Sequence, residues 1–285
     1  MKKIFLGIMM ITIVLMSSGC KTDSMEDITI HTTTYPIEYI TEKLYGEYSY
    51  VSSVYPNEIV ELSDKLIKDY SNGDLFVYNG LSEEKDYAVK MLNNNKSLKI
   101  VDSTMGMEIT NDVEELWLNP SNFLMLCLNI RNGMKEYITN TYLRKVIDDN
   151  YDALKLDISE LDAEIKLLVD NADNTNILVS NDIFKYLEKY GVNVISVENN
   201  ELLSDKVIST AKDEITKGNV KFIIMMPNDT LTDEVESLLS TNNIEKLYFN
   251  SLTTLSSDDE TNGKDYIAIM KENLEVLKKE LYTIE

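Results

Sequence analysis

Histidine is nearly missing from this chain: His31 is the only one in 285 residues. No Ser-His pair, Cys-His pair or HExxH motif can be assembled around it, and no glycine-rich phosphate loop follows an apolar strand, so the usual hydrolytic and phosphoryl-transfer sites are excluded. Basic side chains are also scarce, 27 Lys and Arg against 49 Asp and Glu, which gives a formal net charge of −22. Such a balance repels polyanions and rules out nucleic acid as a partner. Acidic pairs such as Asp148-Asp149 and Asp258-Asp259 read as solvated faces rather than an acid and a base, and catalysis is not expected. Cysteine is limited to Cys20 and Cys127. Cys127 lies in the apolar run Phe123-Leu124-Met125-Leu126-Cys127-Leu128 and reads as a small buried hydrophobe.

What is present begins at the N-terminus. Lys2 and Lys3 precede a nearly unbroken apolar run, Ile4 to Met16, which stops at Ser17-Ser18-Gly19-Cys20. A basic start, a short apolar segment and small residues before a cut define an export signal, and the run is too short to span a bilayer. The sequence therefore predicts a signal peptide over 1–19 and a mature protein outside the cytoplasm. Cys20 stands where bacterial lipoproteins carry their lipid, although Ser17 replaces the Leu usual three residues before it. Lipidation would consume Cys20, leave no disulfide and anchor the chain to the cell membrane. Residues 20–27 read as a polar tether.

About 265 residues remain after cleavage, more than one core usually serves, which suggests two lobes. Short β-rich runs occur four times in each half: Ile28 to Thr33, Ser49 to Val54, Leu75 to Tyr78 and Leu98 to Val101, then Ile177 to Ser180, Val192 to Val197, Lys221 to Met226 and Lys246 to Phe249. Alternation of such runs with helical segments implies βαβ units and parallel sheets. Between the halves Leu143, Ile147, Tyr151, Leu154, Ile158, Leu161, Ile165 and Leu168 recur at steps of three or four, with no Gly or Pro from Thr139 to Asn171. That pattern predicts one helix with a single apolar stripe, about 45 Å long at 1.5 Å per residue. The expected plan is α/β: two lobes, 28–138 and 173–285, each a parallel sheet flanked by helices, joined by a connecting helix over 139–172. An unbroken spine resists hinge bending, so ligand capture should proceed by small loop and lobe shifts.

Several motifs in order then resemble one family. Thr32-Thr33-Thr34-Tyr35-Pro36, Asp74-Leu75-Phe76-Val77-Tyr78-Asn79-Gly80, Trp117-Leu118-Asn119-Pro120, Leu161-Asp162-Ala163-Glu164 and Gly263-Lys264-Asp265-Tyr266 are similar to segments of the zinc and manganese ABC-transporter solute-binding lipoproteins, some of them adhesin-like. The resemblance covers nearly the whole mature chain. It implies a lobe-helix-lobe fold, a metal site in the cleft, and delivery of the ion to an ABC permease in the membrane by a monomeric carrier.

The family's ligands are three imidazoles and one carboxylate, a set suited to zinc. This chain cannot supply it. The resemblance assigns the ligand positions to Glu58, Glu115, Asn181 and Asn250, while a glutamate that many relatives carry after a late strand is Met226. His31 falls on the first predicted strand and matches no ligand position. Two carboxylates and two amide carbonyls would favour manganese, calcium or magnesium over zinc, with water or backbone carbonyls completing the shell. Three alternatives stay open: Glu58 and Glu115 as solvated rim residues with no ion bound, a different small solute such as an organic cation or metal chelate in a cleft lined by Tyr35, Tyr55 and Trp117, or a surface interaction or adhesin lipoprotein.

Overall fold

A computed structural model describes residues 25–55 and 58–282. The segment predicted as a signal peptide, Cys20 and most of the expected tether lie outside the described residues.

The first lobe runs β1 (Ile28–Thr32), α1 (Tyr35–Tyr45), β2 (Ser49–Ser53), α2 (Asp64–Tyr70), β3 (Leu75–Tyr78), α3 (Glu84–Asn94), β4 (Lys99–Asp102), a single turn α4 (Glu115–Leu118) and α5 (Pro120–Tyr137). Its strands form one parallel sheet in the order β2-β1-β3-β4. The long α6 (Thr141–Asp170) follows, and the second lobe repeats the plan with β5 (Asn176–Val179), a 3-10 segment (Asp182–Tyr190), β6 (Asn193–Ser196), α7 (Asp205–Thr216), β7 (Phe222–Met225), α8 (Asp233–Thr241), β8 (Glu245–Tyr248), α9 (Ser257–Thr261) and α10 (Tyr266–Leu281). Its sheet order, β6-β5-β7-β8, is the same topology used again. Each strand lies within one residue of the run that predicted it.

The central strands are apolar on both faces, as sheets covered by helices on both sides require: Leu75, Phe76 and Val77 in β3 and Ile223, Ile224 and Met225 in β7 are all buried. Helix α5 presses closely on β4. A Cβ added at Gly133 would meet Val101 Cγ1 at 2.5 Å, so only glycine permits that approach.

The spine is 30 residues long, starting at Asn140, whose side-chain oxygen accepts from the amides of Tyr142 and Leu143. Leu143, Ile147, Leu154, Ile158, Leu161, Ile165 and Val169 are its buried stripe. Its first half belongs to the first lobe: Asp148 takes Arg131 and Lys135 of α5 at 2.6 Å each, and Asn150 donates to the Leu44 carbonyl of α1. Its second half belongs to the second lobe, where Asp162 accepts from Tyr190 Oη at 2.6 Å and Glu164 pairs with Lys271 of α10 at 2.9 Å. A single apolar core passes through this helix from Ile30 and Trp117 to Phe184, Phe249 and Tyr266. Each sheet closes its outer face with a smaller cluster, around Phe76 and Met91 in the first lobe and around Ile223 and Val235 in the second.

Candidate functional site

The C-terminal ends of both sheets face one cleft, the position at which open α/β sheets bind ligands. A cavity of about 470 Å³ lies there. The first lobe contributes Glu58 and Ile59 from the loop after β2, and Asp112 and Glu114 from the segment entering α4. The second lobe contributes Asn181 and Ile183 after β5, Met226 to Asp229 after β7, and Ser251, Thr253 and Thr254 after β8. Every charged residue lining the cavity is acidic: Glu58, Asp112, Glu114 and Asp229.

The lobes are locked beside this cavity by polar contacts. Trp117 Nε1 donates to the Ser251 carbonyl at 2.7 Å, the Tyr35 amide donates to the Thr253 carbonyl at 3.1 Å, and Tyr266 Oη donates to the Trp117 carbonyl. The Asn250-Ser251-Leu252 corner is held in an unusual backbone conformation. Leu252 has φ 59°, a left-handed value costly for a branched side chain, and Asn250 Oδ1 accepts from its amide at 2.8 Å. Asn273 of α10 fixes the same corner, accepting from the Asn250 amide at 2.8 Å and donating to its carbonyl at 3.0 Å.

The two carboxylates with the most defined surroundings differ. Glu114 has Thr253 Oγ1 at 3.5 Å, and desolvation together with the neighbouring charge of Asp112 pushes its carboxyl up to about 7. Asp229 is tied down on both oxygens: Oδ2 accepts from Ser180 Oγ and from the Met226 amide at 3.2 Å, and Oδ1 accepts from Asn181 Nδ2 at 3.4 Å.

Of the four positions assigned from the sequence, Glu58 and Asn181 line the cavity. The Asn181 carbonyl oxygen is already used, accepting from the Ile183 amide at 2.9 Å to cap the 3-10 segment. Glu115 is not among the lining residues; its Oε2 accepts from the Asn111 amide and side chain at 3.3 and 3.1 Å, and Asn250 serves its own turn. Asp112, Glu114 and Asp229 escaped the sequence reading. The signal for Asp229 was Pro227-Asn228-Asp229 directly after an apolar strand, a turn that returns a carboxylate to the strand end where Met226 carries none.

Among the described residues, no three His, Cys, Asp or Glu side chains converge closely enough to hold a metal ion. His31 is remote in role as well as in sequence: it sits on β1, hydrogen-bonded to Ser52 Oγ at 3.2 Å and edge-on to Tyr70, and burial holds its pKa below the ordinary value.

Two parallel sheets bridged by one rigid helix, with a polar cleft at their facing edges, define a cleft-type binding protein. The chain belongs to the family described as zinc-uptake complex component A, periplasmic (ZnuA), whose model matches residues 30–280. It is 24% identical over 293 aligned positions to a zinc-binding protein AdcA of Streptococcus pyogenes serotype M3, an alignment covering 88% of this chain and 55% of that protein, so the chain spans about half the length of this relative. Among solved structures, the metal-dependent lipoprotein YcdH of Bacillus subtilis superposes with a TM-score of 0.72 at 21% identity, covering 90% of this chain and 100% of that one. The zinc-bound ZnuA-like domain of Streptococcus pneumoniae AdcA gives 0.69, also at 21% identity, covering 90% of this chain and 100% of that domain.

Proposed function

We propose that the chain is an extracytoplasmic solute-binding protein of a metal-type ABC transporter, lipid-anchored through Cys20, whose cleft captures a cation through oxygen donors alone and hands it to a membrane permease. The observation that carries this reading is the exclusively acidic charge of the cavity lining, Glu58, Asp112, Glu114 and Asp229, with no Lys, Arg or His among the lining residues. A cleft whose charges are all of one sign concentrates counter-ions. Oxygen donors without imidazole or thiolate favour hard cations, manganese or calcium, over zinc.

In this reading Glu114 and Asp229 face the ion from opposite lobes, Glu58 and Asn181 complete the rim, and the Ser251 to Thr254 segment supplies hydroxyl and carbonyl oxygens. Water fills the remaining positions, as hard cations with few protein ligands require. Glu115 and Asn250 serve by holding the Asn111 to Glu114 segment and the Asn250 to Leu252 corner in place.

Calorimetric titration of the purified protein with manganese, calcium and zinc tests the reading. Saturable one-to-one binding of manganese or calcium is expected, weakened at least tenfold in Glu114→Gln and in Asp229→Asn. Absence of heat with all three ions, or zinc binding that both substitutions leave unchanged, would overturn it.

A further inference from the structure

A second cavity, of about 490 Å³, lies in the first lobe alone and shares only Ile59 with the lining of the interlobe cavity. Thr34 following β1, Tyr55 following β2 and Asn79 following β3 lie at its sheet side, and Glu83, Glu84 and Tyr87 of the α3 region lie opposite. Its chemistry differs from that of the interlobe cavity. Three aromatic residues, Tyr55, Tyr87 and Trp117, share the lining with the apolar side chains of Ile59, Val60 and Val113 and with four carboxylates, Glu61, Glu83, Glu84 and Asp86. Lys90 is the one basic residue of the lining, and its Nζ sits 3.6 Å from Asp64 of α2.

Two buried polar groups stand on this lining, and the unpartnered one points to a ligand. Thr34 is 2% exposed and its hydroxyl has no hydrogen-bond partner among the described residues, although an unsatisfied buried hydroxyl is costly. Glu84 is 6% exposed, and its Oε2 accepts from the Asn79 amide at 2.8 Å. Burial pushes the Glu84 carboxyl up to about 7, against the lowering effect of the Asn79 amide and of Thr33. The volume falls in the range of small-molecule sites.

We infer that this first-lobe cavity is a separate binding site for a small alkylated ammonium cation. Aromatic faces attract a diffuse cation through their quadrupoles, apolar walls accept its methyl groups, and carboxylates at the mouth supply the opposite charge. A bare metal ion would forgo the aromatic and apolar surfaces, and an anion would meet a lining in which carboxylates outnumber the one basic residue. A hydroxyl on the ligand would give Thr34 the partner it lacks.

The chain contains one tryptophan, Trp117, and it lines this cavity, so its emission reports occupancy directly. Purified protein is titrated with choline chloride at constant ionic strength, with sodium chloride as the salt control and 3,3-dimethylbutanol as the uncharged isostere. A saturable choline-dependent change is expected, with the isostere binding at least tenfold more weakly. Tyr87→Leu should weaken choline at least tenfold, the surface substitution Glu61→Gln about threefold, and Glu114→Gln in the interlobe cavity should leave it unchanged. Glu61 is exposed and Tyr87 packs at the edge of the cluster around Phe76, so circular dichroism is used to check that both variants keep the fold. No saturable change with choline, equal binding of the isostere, or a choline response that survives Tyr87→Leu would overturn the inference. The Glu114→Gln arm keeps this result separate from that of the cation titration in the cleft.

Discussion

The two lobes are one topology used twice, yet they treat the carboxylate each brings to the cleft in opposite ways. The second lobe surrounds Asp229 with donors from Ser180, Asn181 and Met226, so its charge is satisfied before any ligand arrives. The first lobe leaves Glu114 beside Asp112 with Thr253 at 3.5 Å, and its carboxyl is pushed up to about 7. One lobe holds a finished hydrogen-bond network and the other an unmet charge. In the proposed function, an incoming cation would gain most on the first-lobe side and would compete with protein donors on the other.

The two lobes can differ in this way within one molecule only if the spine holds them as one body, and disrupting the spine should have the largest effect. Ile158, fully buried at the middle of the spine, belongs to the core that runs through both lobes. Ile158→Ala should cost about 2–5 kcal/mol, the range for deleting a buried branched side chain. Urea unfolding followed by Trp117 emission and by circular dichroism should show one shifted transition. Two separated transitions would mean that the lobes unfold independently and that their contrast is a property of separate domains.

The fold was largely legible in the sequence because its signals are local. Runs such as Leu75 to Tyr78 and Lys221 to Met226 are short, β-rich and bounded, and the three-four spacing from Leu143 to Leu168 needs no knowledge of the partner surface. Of the cleft, the sequence marked Asn181, two residues after β5, and Glu58, in the loop after β2. Glu115 illustrates the limit. Consecutive helical positions differ in direction by about 100°, so a one-residue offset at the start of α4 exchanges the residue that lines the cavity, Glu114, for one bonded to Asn111. Asp229 was hidden for another reason: its loop folds back, and its three donors come from residues up to 49 positions away. The 3-10 geometry of Asp182–Tyr190 likewise left no mark that a pattern of apolar spacing would reveal.

The next prediction sharpens the contrast between the carboxylates. Asp229→Ala strips acceptors from the Met226 amide and the Asn181 side chain and leaves buried Ser180 with only the Ile224 carbonyl at 3.5 Å, so it should cost about 1–3 kcal/mol. Glu114→Ala removes a poorly solvated charge that repels Asp112, and should change stability by less than about 0.5 kcal/mol at neutral pH. Denaturant midpoints of the two variants decide the matter. Equal costs would erase the distinction drawn between the lobes.

The smallest effect concerns pH, where the two lobes contribute alike. Glu84 and Glu114 in the first lobe and Glu280 in the second, whose carboxylate accepts from the Lys221 and Phe222 amides, are each pushed up to about 7, mainly by desolvation. In the unfolded chain these groups return to the ordinary value of 4.5. Between 4.5 and 7 the native state thus holds more protons than the unfolded state, and linkage makes the unfolding free energy fall as pH rises through that window. The contribution is complete below the lower limit and lost above the upper one. His31, held below 6.5 by burial, acts with the opposite sign below that value, while Asp148 and Asp259, lowered from 3.8, act only in more acid solution. The difference between parent and variant isolates each group from these. The melting temperature of the parent relative to Glu114→Gln should decline from pH 5 to 8, and relative to Glu280→Gln likewise; a difference that rises with pH would show that the charged form of that carboxylate is the one the fold favours.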